Sequence, residues 1–405
     1  MGSNKIPSDF ELQACVDAAA QIDVMVDAAR SVNLNPSTFR HRLSIAKQKG
    51  IVSKKKPDSK PNVFSEVKRL EQELKLAQKE SADSKKIKEI IGDIASKTAN
   101  MKPPKWMDSK PAMPHSSGIP TLFLSDLHWG ENVRPSQINY VNQYNLQIAR
   151  DRLKNCVDSA VDLLRIISPE MDYQGIVVAL GGDMVSGDIH EELAESNELP
   201  TIPTVLDLLN ALASAIGHLA DCFGNVFVPC VTGNHGRNTK KIRSKDRHHT
   251  SFDWLLFQLL ARHFQDDKRV TFFIPDGSDA SYKVHNTKYV LTHGDQFRGG
   301  DGMIGALGPI IRGDHRKRSR NGQIDLSYDV MICGHWHQYM HLTRLIVNGS
   351  LKGYDEYAYT NNFGFEQPQQ ALWLTHPKHG ITFRMPVYVD RDKQAPKTAW
   401  VSIPK

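Results

Sequence analysis

The feature that most constrains the fold of this chain is a set of five polar turns, each of which directly follows a short apolar run. The runs do not alternate with polar residues, which predicts strands that are covered on both faces. In α/β sheets, ligands bind at the carboxyl ends of parallel strands. One Asp or His after a strand means little, but five such turns in order predict one shared polar site. The turns are Asp126-Leu127-His128, Gly182-Asp183, Gly233-Asn234-His235, His293-Gly294-Asp295 and Gly334-His335-Trp336-His337.

The runs belong to a pattern of alternating strands and helices, which predicts a large α/β domain over residues 118–390. Hydrophobic residues make up 40% of the chain and charged residues 24%, which excludes a collagen-like or wholly disordered protein. The five cysteines form no C-x-x-C pair, so neither a zinc finger nor a redox motif is indicated. The predicted strands are 121–125, 176–181, 226–232, 288–292, 330–333 and 343–348, and the predicted helices are 143–167, 203–222 and 251–265.

The five turns, read as D-x-H, G-D, G-N-H, H-G and G-H-x-H, resemble the ordered signature of the calcineurin-like metallophosphoesterase superfamily. The resemblance spans roughly Gly118 to Leu351, and it is closest in type to bacterial DNA repair exonucleases. It implies a four-layer αββα sandwich and hydrolysis of phosphodiester bonds by two metal ions. Two divalent ions about 3.5–4 Å apart stabilise both the attacking and the leaving oxygen of an in-line displacement.

The resemblance also implies a set of metal ligands. Asp183 would bridge the two ions, and Mn is expected first, with Fe, Zn or Mg as alternatives. A set of oxygen and imidazole ligands without thiolate suits Mn, Fe or Zn better than Ca or Cu. Asp126, His128 and His337 would complete one metal site, and Asn234, His293 and His335 would complete the other.

His235 is the predicted catalytic residue, because the family places a histidine here that contacts the scissile phosphate and protonates the leaving oxygen. The alternative is a histidine that only supports the ligands. Many family members have Asp or Glu directly after this histidine, whereas Gly236 and Arg237 follow it here. The carboxylate partner must therefore come from elsewhere or be absent.

The first 52 residues predict a small all-α module that resembles a helix-turn-helix unit. Helices are expected at 10–20, 23–31 and 36–49, with Asn35 as N-cap, Pro36 at the first helical position and Gly50 at the end. The third helix would be the recognition helix, and a plain three-helix packing module is the alternative. Its candidate nucleic-acid contacts are Arg40, Arg42 and Lys47.

A linker over residues 53–117 is predicted to contain an amphipathic helix, which would form a short coiled coil or lie on the next domain. Residues 391–405 are a predicted C-terminal tail. Residues 1–105 hold 20 Lys and Arg against 13 Asp and Glu, so they carry more than the net charge of +6 of the whole chain. Such a basic segment favours an acidic polymer as partner, with nucleic acid ahead of a membrane surface.

Two basic clusters flank the third and fifth turns, and we expect both to lie in loops. Taken singly, such a cluster is often only a solvated surface, but two beside a phosphoester-cleaving centre favour a polyanionic substrate. The acidic segment 188–198 opposes this reading if it lies over the site. The candidate contacts in the clusters are Arg237, Lys240, Lys241, Arg243, Arg316, Lys317 and Arg318.

The leading interpretation is a two-metal phosphodiesterase that acts on DNA as an exonuclease or endonuclease. The enzyme alternative is a metallophosphatase for phosphoprotein or nucleotide monoesters. The second alternative, a DNA-binding regulator with an inactive phosphoesterase domain, is disfavoured because every ligand position is filled. No signal peptide or membrane span is expected, so the predicted location is the cytoplasm without membrane contact. A homodimer and a partner ATPase are left open.

Overall fold

The computed structural model describes residues 7–22, 24–53, 118–298 and 305–390. The chain divides into two compact units, Met1–Lys86 and Ile87–Lys405, which are described separately below. The predicted linker helix and the predicted C-terminal tail lie outside the described residues, and both stay predictions.

The N-terminal unit contains three helices around a small apolar core. Ser8 accepts a hydrogen bond from the Glu11 amide and begins the first helix with a reciprocal capping box. Asn35 accepts from the Thr38 amide at the start of the third helix, and Gly50 follows its end with φ +70°, both as the sequence predicts. The helices are α1 (Asp9–Gln21), α2 (Met25–Ser31) and α3 (Pro36–Gln48). Their core consists of Cys15, Ala18, Ala28, Ala29 and Phe39.

The large unit contains two β-sheets. The first has the order β11-β10-β1-β2-β3-β4, with β1 to β4 parallel, and the second has the order β5-β6-β7-β9-β8, with β6, β7 and β9 parallel. The strands are β1 (Ile119–Leu124), β2 (Ile176–Leu180), β3 (Val226–Pro229), β4 (Val270–Phe273), β5 (Asp279–Val284), β6 (Thr287–Thr292), β7 (Val330–Cys333), β8 (Met340–His341), β9 (Leu345–Val347), β10 (Gln369–His376) and β11 (Gly380–Tyr388).

Helices cover the outer faces of the two sheets. The helices of this unit are α4 (Leu146–Ile167), α5 (Glu191–Ser196), α6 (Thr201–Phe223), α7 (Phe252–His263), α8 (Leu307–Gln323) and α9 (Glu356–Thr360). One apolar cluster joins α4, α6 and α7 to the first sheet, a second lies between the two sheets, and a third joins the second sheet to α8. This is the predicted four-layer αββα sandwich.

All six predicted strands and all three predicted helices of this unit are present, with ends that shift by up to three residues. The sequence missed five strands and the helices α5, α8 and α9. Strand β5 alternates buried and exposed residues, and β11 is mostly exposed, so neither reads as an apolar run. Helix α8 contains Gly308, Pro309 and Gly313 among many cations, a composition with low helix propensity. The second basic cluster therefore lies on a helix, which corrects the expectation of a loop.

Helix α6 is the one described helix that is long and apolar enough to cross a membrane by length and composition, with a mean hydropathy of 1.3 over its best window. This differs from the expectation that no such segment exists. Its residues Val205, Leu208, Leu212, Ile216 and Leu219 form a stripe buried in the core against the first sheet. A core helix of a layered domain accounts for this composition, and the cytoplasmic location stays a prediction.

Candidate metal centre

The five predicted turns meet at one edge of the sandwich. Three of them follow the adjacent parallel strands β1, β2 and β3, and two follow the adjacent parallel strands β6 and β7 of the other sheet. The His335 amide donates to Asp126 Oδ1 at 2.9 Å, and His293 Nε2 lies 3.0 Å from Asp183 Oδ2. These contacts join the turns of one sheet to those of the other.

The first group of candidate ligands consists of Asp126, His128 and His337, whose ligand atoms all lie within 4.8 Å of one another. His128 Nε2 lies 3.1 Å from His337 Nε2, and His337 Nε2 lies 3.4 Å from Asp126 Oδ1. Burial and the nearby Lys352 ammonium lower the pKa of His128 to about 4. The ring is therefore neutral near pH 7, which is the form that binds metal.

The second group consists of Asp183, His293 and His335, within the same 4.8 Å limit. Asn234 belongs beside it, because its Oδ1 lies 3.2 Å from His293 Nε2. Nδ1 of His293 donates to the Gly181 carbonyl at 2.8 Å, which directs Nε2 toward the group. Although burial opposes it, Asp183 raises the pKa of His293 to about 10, so metal binding there would release a proton.

Asp183 is the carboxylate that connects the two groups. It forms a third cluster with His128 and His235, again within 4.8 Å, so it has candidate ligands of both groups as neighbours. Although burial alone would raise it, His293 and His235 hold the pKa of Asp183 well below its usual range. A buried, ionised carboxylate between two sets of ligands is placed as a bridging ligand must be.

The backbone at these ligands is unusual. Of the 13 described non-glycine residues with positive φ, five are predicted ligands, with φ between 46° and 70°. A side chain in this left-handed region costs free energy, and such residues concentrate at functional sites. The five are Asp126, His128, Asp183, His335 and His337.

Glycines allow the turns to approach this closely. A Cβ atom on Gly182, which has φ +87°, would lie 2.3 Å from the Gly233 amide nitrogen. A Cβ atom on Gly334 would lie 2.2 Å from Asp126 Oδ2. Both glycines of the motifs are therefore needed for space.

The donor set fits divalent metal ions. Two imidazole nitrogens face each other at 3.1 Å beside the fully buried Asp126 carboxylate, a set of nitrogen and oxygen donors that suits a divalent ion. The ligands are oxygen and nitrogen atoms without thiolate. Cys333 is buried in the apolar cluster under α8, where burial raises the pKa of its thiol, so it is a packing residue.

His235 lies beside both groups, with its ring 4.5 Å from that of His128 in an edge-to-face arrangement. Its backbone amide donates to Asp183 Oδ1 at 2.7 Å. Its Nδ1 lies 3.0 Å from the Ser186 carbonyl oxygen, and because a carbonyl only accepts, Nδ1 carries the hydrogen. No carboxylate follows His235 in the sequence, and in the structure a main-chain carbonyl holds Nδ1 of its ring.

A buried charge cluster behind the first group escaped the sequence analysis. Glu131 Oε2 lies 3.3 Å from His128 Nδ1, and Lys352 Nζ lies 2.9 Å from Glu131 Oε1 and also contacts Asp355. A carboxylate on the far nitrogen of a ligating histidine fixes its orientation and raises its basicity. These residues stand singly in the sequence, so only their burial reveals them.

Asp253, at the start of α7, is a second residue that the sequence analysis missed. Its fully buried carboxylate accepts hydrogen bonds from the amides of Asp183, Met184 and Gly233, at 2.9 to 3.2 Å. It holds the second and third turns together. The signal available in the sequence was a single acid between the apolar residues Phe252 and Trp254, which is too weak to identify it.

A polar network supports Asp126 from the first sheet. Ser125 Oγ donates to Asp126 Oδ2 at 2.5 Å, and the Asn348 side chain donates to Ser125 Oγ at 2.9 Å. Gln370 Oε1 accepts from both the Ser125 amide and Asn348. All of these groups are buried and satisfied, which fixes the carboxylate in place.

The predicted nucleic-acid contacts fall into two classes. Lys317 is buried and paired with Asp279 at 2.6 Å, and Arg318 binds Asp314 and stacks on the Tyr328 ring at 4.4 Å. These two side chains hold α8 in place, which corrects their assignment as phosphate contacts. Arg237 donates to the carbonyls of Asn234 and Thr239, so it braces its own loop.

The remaining candidates are exposed, apart from Arg42, which pairs with Glu11 at 3.1 Å. The exposed ones are Arg40, Lys47, Lys240, Lys241, Arg243 and Arg316.

Two aromatic residues flank the candidate ligands. Trp129 is fully buried and donates to Asp207 at 2.7 Å, so it packs in the core and is closed to a base. The Trp336 ring is partly buried, 5.7 Å from that of His335.

The acidic segment 188–198 also lies near the centre, because the His190 ring is 6.4 Å from that of His235.

No known protein family matches the chain by sequence, and no curated protein does. Among solved structures, it is similar to a Vps29 single mutant from Entamoeba histolytica, with 14% identity over 66% of this chain and 99% of that one, at a TM-score of 0.27. A predicted phosphoesterase from Streptococcus pneumoniae has 12% identity over 66% of this chain and 97% of its own, at a TM-score of 0.24. A dimetal phosphatase from Danio rerio has 11% identity over 67% of this chain and 99% of its own, at a TM-score of 0.32. Likenesses this distant carry no argument about activity.

Proposed function

We propose that this chain is a calcineurin-like metallophosphoesterase that uses two divalent metal ions to hydrolyse phosphodiester bonds, and that its substrate is DNA. The observation that carries the proposal is the buried Asp183 carboxylate, which has candidate ligands of two His/Asp groups within 4.8 Å. Asp126, His128 and His337 would hold one ion, and Asn234, His293 and His335 the other. Mn is the proposed ion, with Fe, Zn or Mg as alternatives.

When bound, divalent ions would polarise the phosphoryl oxygens and make a water molecule acidic enough to attack near neutral pH. The residues of the chain then have distinct tasks. Glu131 and the Gly181 carbonyl orient the two histidines that they contact. Asp253 keeps the second and third turns in register through three amide hydrogen bonds.

His235 is proposed to protonate the leaving oxygen from Nε2, since its Nδ1–H is held by the Ser186 carbonyl. Burial lowers the pKa of His235, although the Asp183 carboxylate opposes this shift. The lowered pKa favours the neutral ring in the free protein. The negative charge of a bound phosphodiester would favour its protonation. The ring is thus suited to a proton transfer that takes place only with substrate present.

A polymeric substrate is supported by a basic groove that begins at the candidate metal ligands. Three adjoining cavities form it, because neighbouring cavities share lining residues. The cavity at Asn234 shares Arg243 and Arg247 with a cavity of about 340 Å³, which in turn shares Arg298 with a cavity of about 190 Å³ on α8. Arg243 and Arg298 are the arginines of this path that a strand of phosphates would meet. Arg247 is already paired with Asp295 at 2.9 Å, and Asp246 and Asp276 also line the middle cavity. A small monoester needs no such groove.

Helix α8 supplies the free cations at the far end of this groove. Arg312 and Arg316 are exposed and four residues apart on one helical face, and the described part of the chain offers neither of them an ion-pair partner. Like charges at this spacing destabilise a helix by a few tenths of a kcal/mol. A helix that tolerates this cost is suited to bind an anion.

The proposal is tested by incubating the protein with Mn and four substrates: linear duplex DNA, single-stranded DNA, a p-nitrophenyl phosphodiester and the matching monoester. We expect hydrolysis of DNA and of the diester ahead of the monoester. The substitution Asp183→Asn should abolish hydrolysis of all of these substrates, because the bridging charge is lost. The exposed Asp266→Asn serves as matched control. Preference for the monoester would contradict the proposal in favour of a phosphatase.

The groove is tested separately by DNA binding. The double variant Arg312→Gln/Arg316→Gln should flatten the slope of log K against log salt by about 0.9 for each lost phosphate contact. The double variant Lys268→Gln/Arg384→Gln, which removes two exposed cations outside the groove, should leave the slope unchanged. Equal slopes for both variants would rule out this path for the DNA.

A further inference from the structure

A second cluster of metal-ligand side chains lies outside the centre around Asp183, and it involves the loop that connects β3 to α7. The Asn238 amide donates to the Thr250 carbonyl at 2.8 Å, so the two ends of the loop are joined. The loop closes with a short 3-10 helix, His248–Thr250. Between these ends it carries the basic cluster of the third turn.

The cluster consists of His248, His249 and Asp276, whose ligand atoms all lie within 4.8 Å of one another. The two histidines belong to the loop, and Asp276 belongs to the connection between β4 and β5. His248 Nε2 lies 3.7 Å from Asp276 Oδ1, which is too long for a hydrogen bond. The three side chains thus bring together two separate segments.

His248 has a polar atom without a partner. The residue is only 8% exposed, and its Nε2 has no hydrogen-bond partner within the described part of the chain. Burial, together with the neighbouring His249, lowers the pKa of His248, so its ring is neutral near pH 7 and forms no ion pair with Asp276. An unsatisfied buried nitrogen costs free energy unless something binds it.

Trp254 forms a rigid support under both histidines. It is almost fully buried, and its ring centroid lies 6.1 Å from that of His248 and 5.1 Å from that of His249. The two imidazole centroids are 3.9 Å apart. The buried His248 ring, which is held by this packing, needs little reorganisation when an ion binds.

We propose that His248, His249 and Asp276 bind one divalent transition-metal ion, with zinc as the ion of best fit, and that this ion anchors the basic loop to the β4–β5 connection. Two imidazoles and one carboxylate are a known zinc ligand set, and three protein ligands leave a fourth position for water. His248 and Asp276 line the cavity of about 340 Å³, which has room for that water.

This site does not depend on the role of Asp183, so the two are tested apart. His249 and Asp276 are exposed, and their substitution should not affect folding. Full-length protein is loaded with zinc, dialysed, and its zinc content is measured by mass spectrometry. His249→Gln and Asp276→Asn should each lower the content by one equivalent. The same loss is expected in an Asp183→Asn background.

His263→Gln, an exposed histidine on α7, is the matched control and should retain the full zinc content. Hydrogen exchange gives a second measurement. Zinc should slow amide exchange over residues 238–250 in the parent protein and not in His249→Gln. Unchanged zinc content in both cluster variants, or loop exchange that zinc does not alter, would overturn the proposal.

Discussion

At the scale of single residues, the candidate centre is defined by charge neutralisation and by strain. Two buried aspartates, Asp126 and Asp183, lie among imidazoles at the carboxyl ends of strands, and both adopt φ values in the left-handed region. Neither feature stabilises the fold by itself, because buried charges and strained backbone both cost free energy. A bound pair of cations would offset the cost of the buried charges and would account for the strained backbone.

His235 is expected to act on the substrate and not on the metals. We predict that His235→Ala keeps the metal stoichiometry and loses roughly 10²- to 10⁴-fold in rate, the range for removal of a general acid. The loss should shrink for good leaving groups, which need no proton. A comparison of p-nitrophenyl and alkyl phosphodiesters measures this. Equal losses for both esters would instead make His235 a residue that positions phosphate.

Glu131 is expected to act through His128. We predict that Glu131→Gln weakens metal binding by about 10- to 100-fold, because the carboxylate that orients the ligating ring is lost. Titration with Mn measures the effect. Glu170→Gln, an exposed acid on the same unit, is the control. Unchanged affinity in Glu131→Gln would mean that the ring is held by packing alone.

At the scale of elements, helix α8 depends on a buried ion pair. Lys317 Nζ lies 2.6 Å from Asp279 Oδ1 on β5, and Arg320 binds the other oxygen at 2.7 Å. Although burial alone would raise it, Lys317 lowers the pKa of Asp279. The pair therefore stabilises the fold above the ordinary carboxyl pKa, and this contribution is lost as pH falls through the lowered value.

We predict that Lys317→Met costs about 3 kcal/mol at pH 7, near the lower limit for breaking a buried pair, because Arg320 remains. The cost should shrink as pH falls below the ordinary carboxyl pKa of about 3.9, because the unfolded chain then takes up a proton at Asp279 that the paired native carboxyl resists. Urea denaturation at pH 7 and pH 3.5 measures both. Arg316→Gln, one residue away but exposed, should change stability by less than about 0.5 kcal/mol. A cost that does not depend on pH would point to lost packing.

Elements with a uniform pattern were predictable from the sequence, and elements that depend on tertiary context were not. Strands β2 and β7 are continuous apolar runs, and β1 and β6 each contain a shorter one, so the positions of these strands and of the ligands at their ends could be located. Strand β10 begins with two buried glutamines, and the Gln370 side chain is satisfied there by Asn348 and by the Gly349 carbonyl. Partners so far away in sequence leave no local pattern.

The same holds for the candidate site. Its ligands follow strands in glycine-rich turns and could be found in order. Glu131, Asp253 and Lys352 stand alone among ordinary residues, and their roles depend on contacts that span up to 221 positions. Lys317 and Arg318 read as part of a basic cluster because the sequence does not tell which face of α8 is covered.

At the scale of the whole molecule, the two units have separate tasks in the proposed function. All candidate metal ligands lie beyond residue 118, and residues 1–105 carry the excess positive charge. We predict that deletion of residues 1–105 leaves hydrolysis of a small phosphodiester nearly unchanged. Duplex DNA binding should weaken, and its salt dependence should flatten by several units. The same DNA affinity with and without this segment would make an assembly role the better account of α1 to α3.

The central claim is that Asp183 joins two metal ions, and anomalous diffraction from crystals of the Mn-loaded protein tests it most directly. We predict two anomalous peaks about 3.5–4 Å apart on either side of the Asp183 carboxylate. One peak should contact His128 and His337, and the other His293 and His335. A single peak, or none at these residues under saturating Mn, would contradict the account.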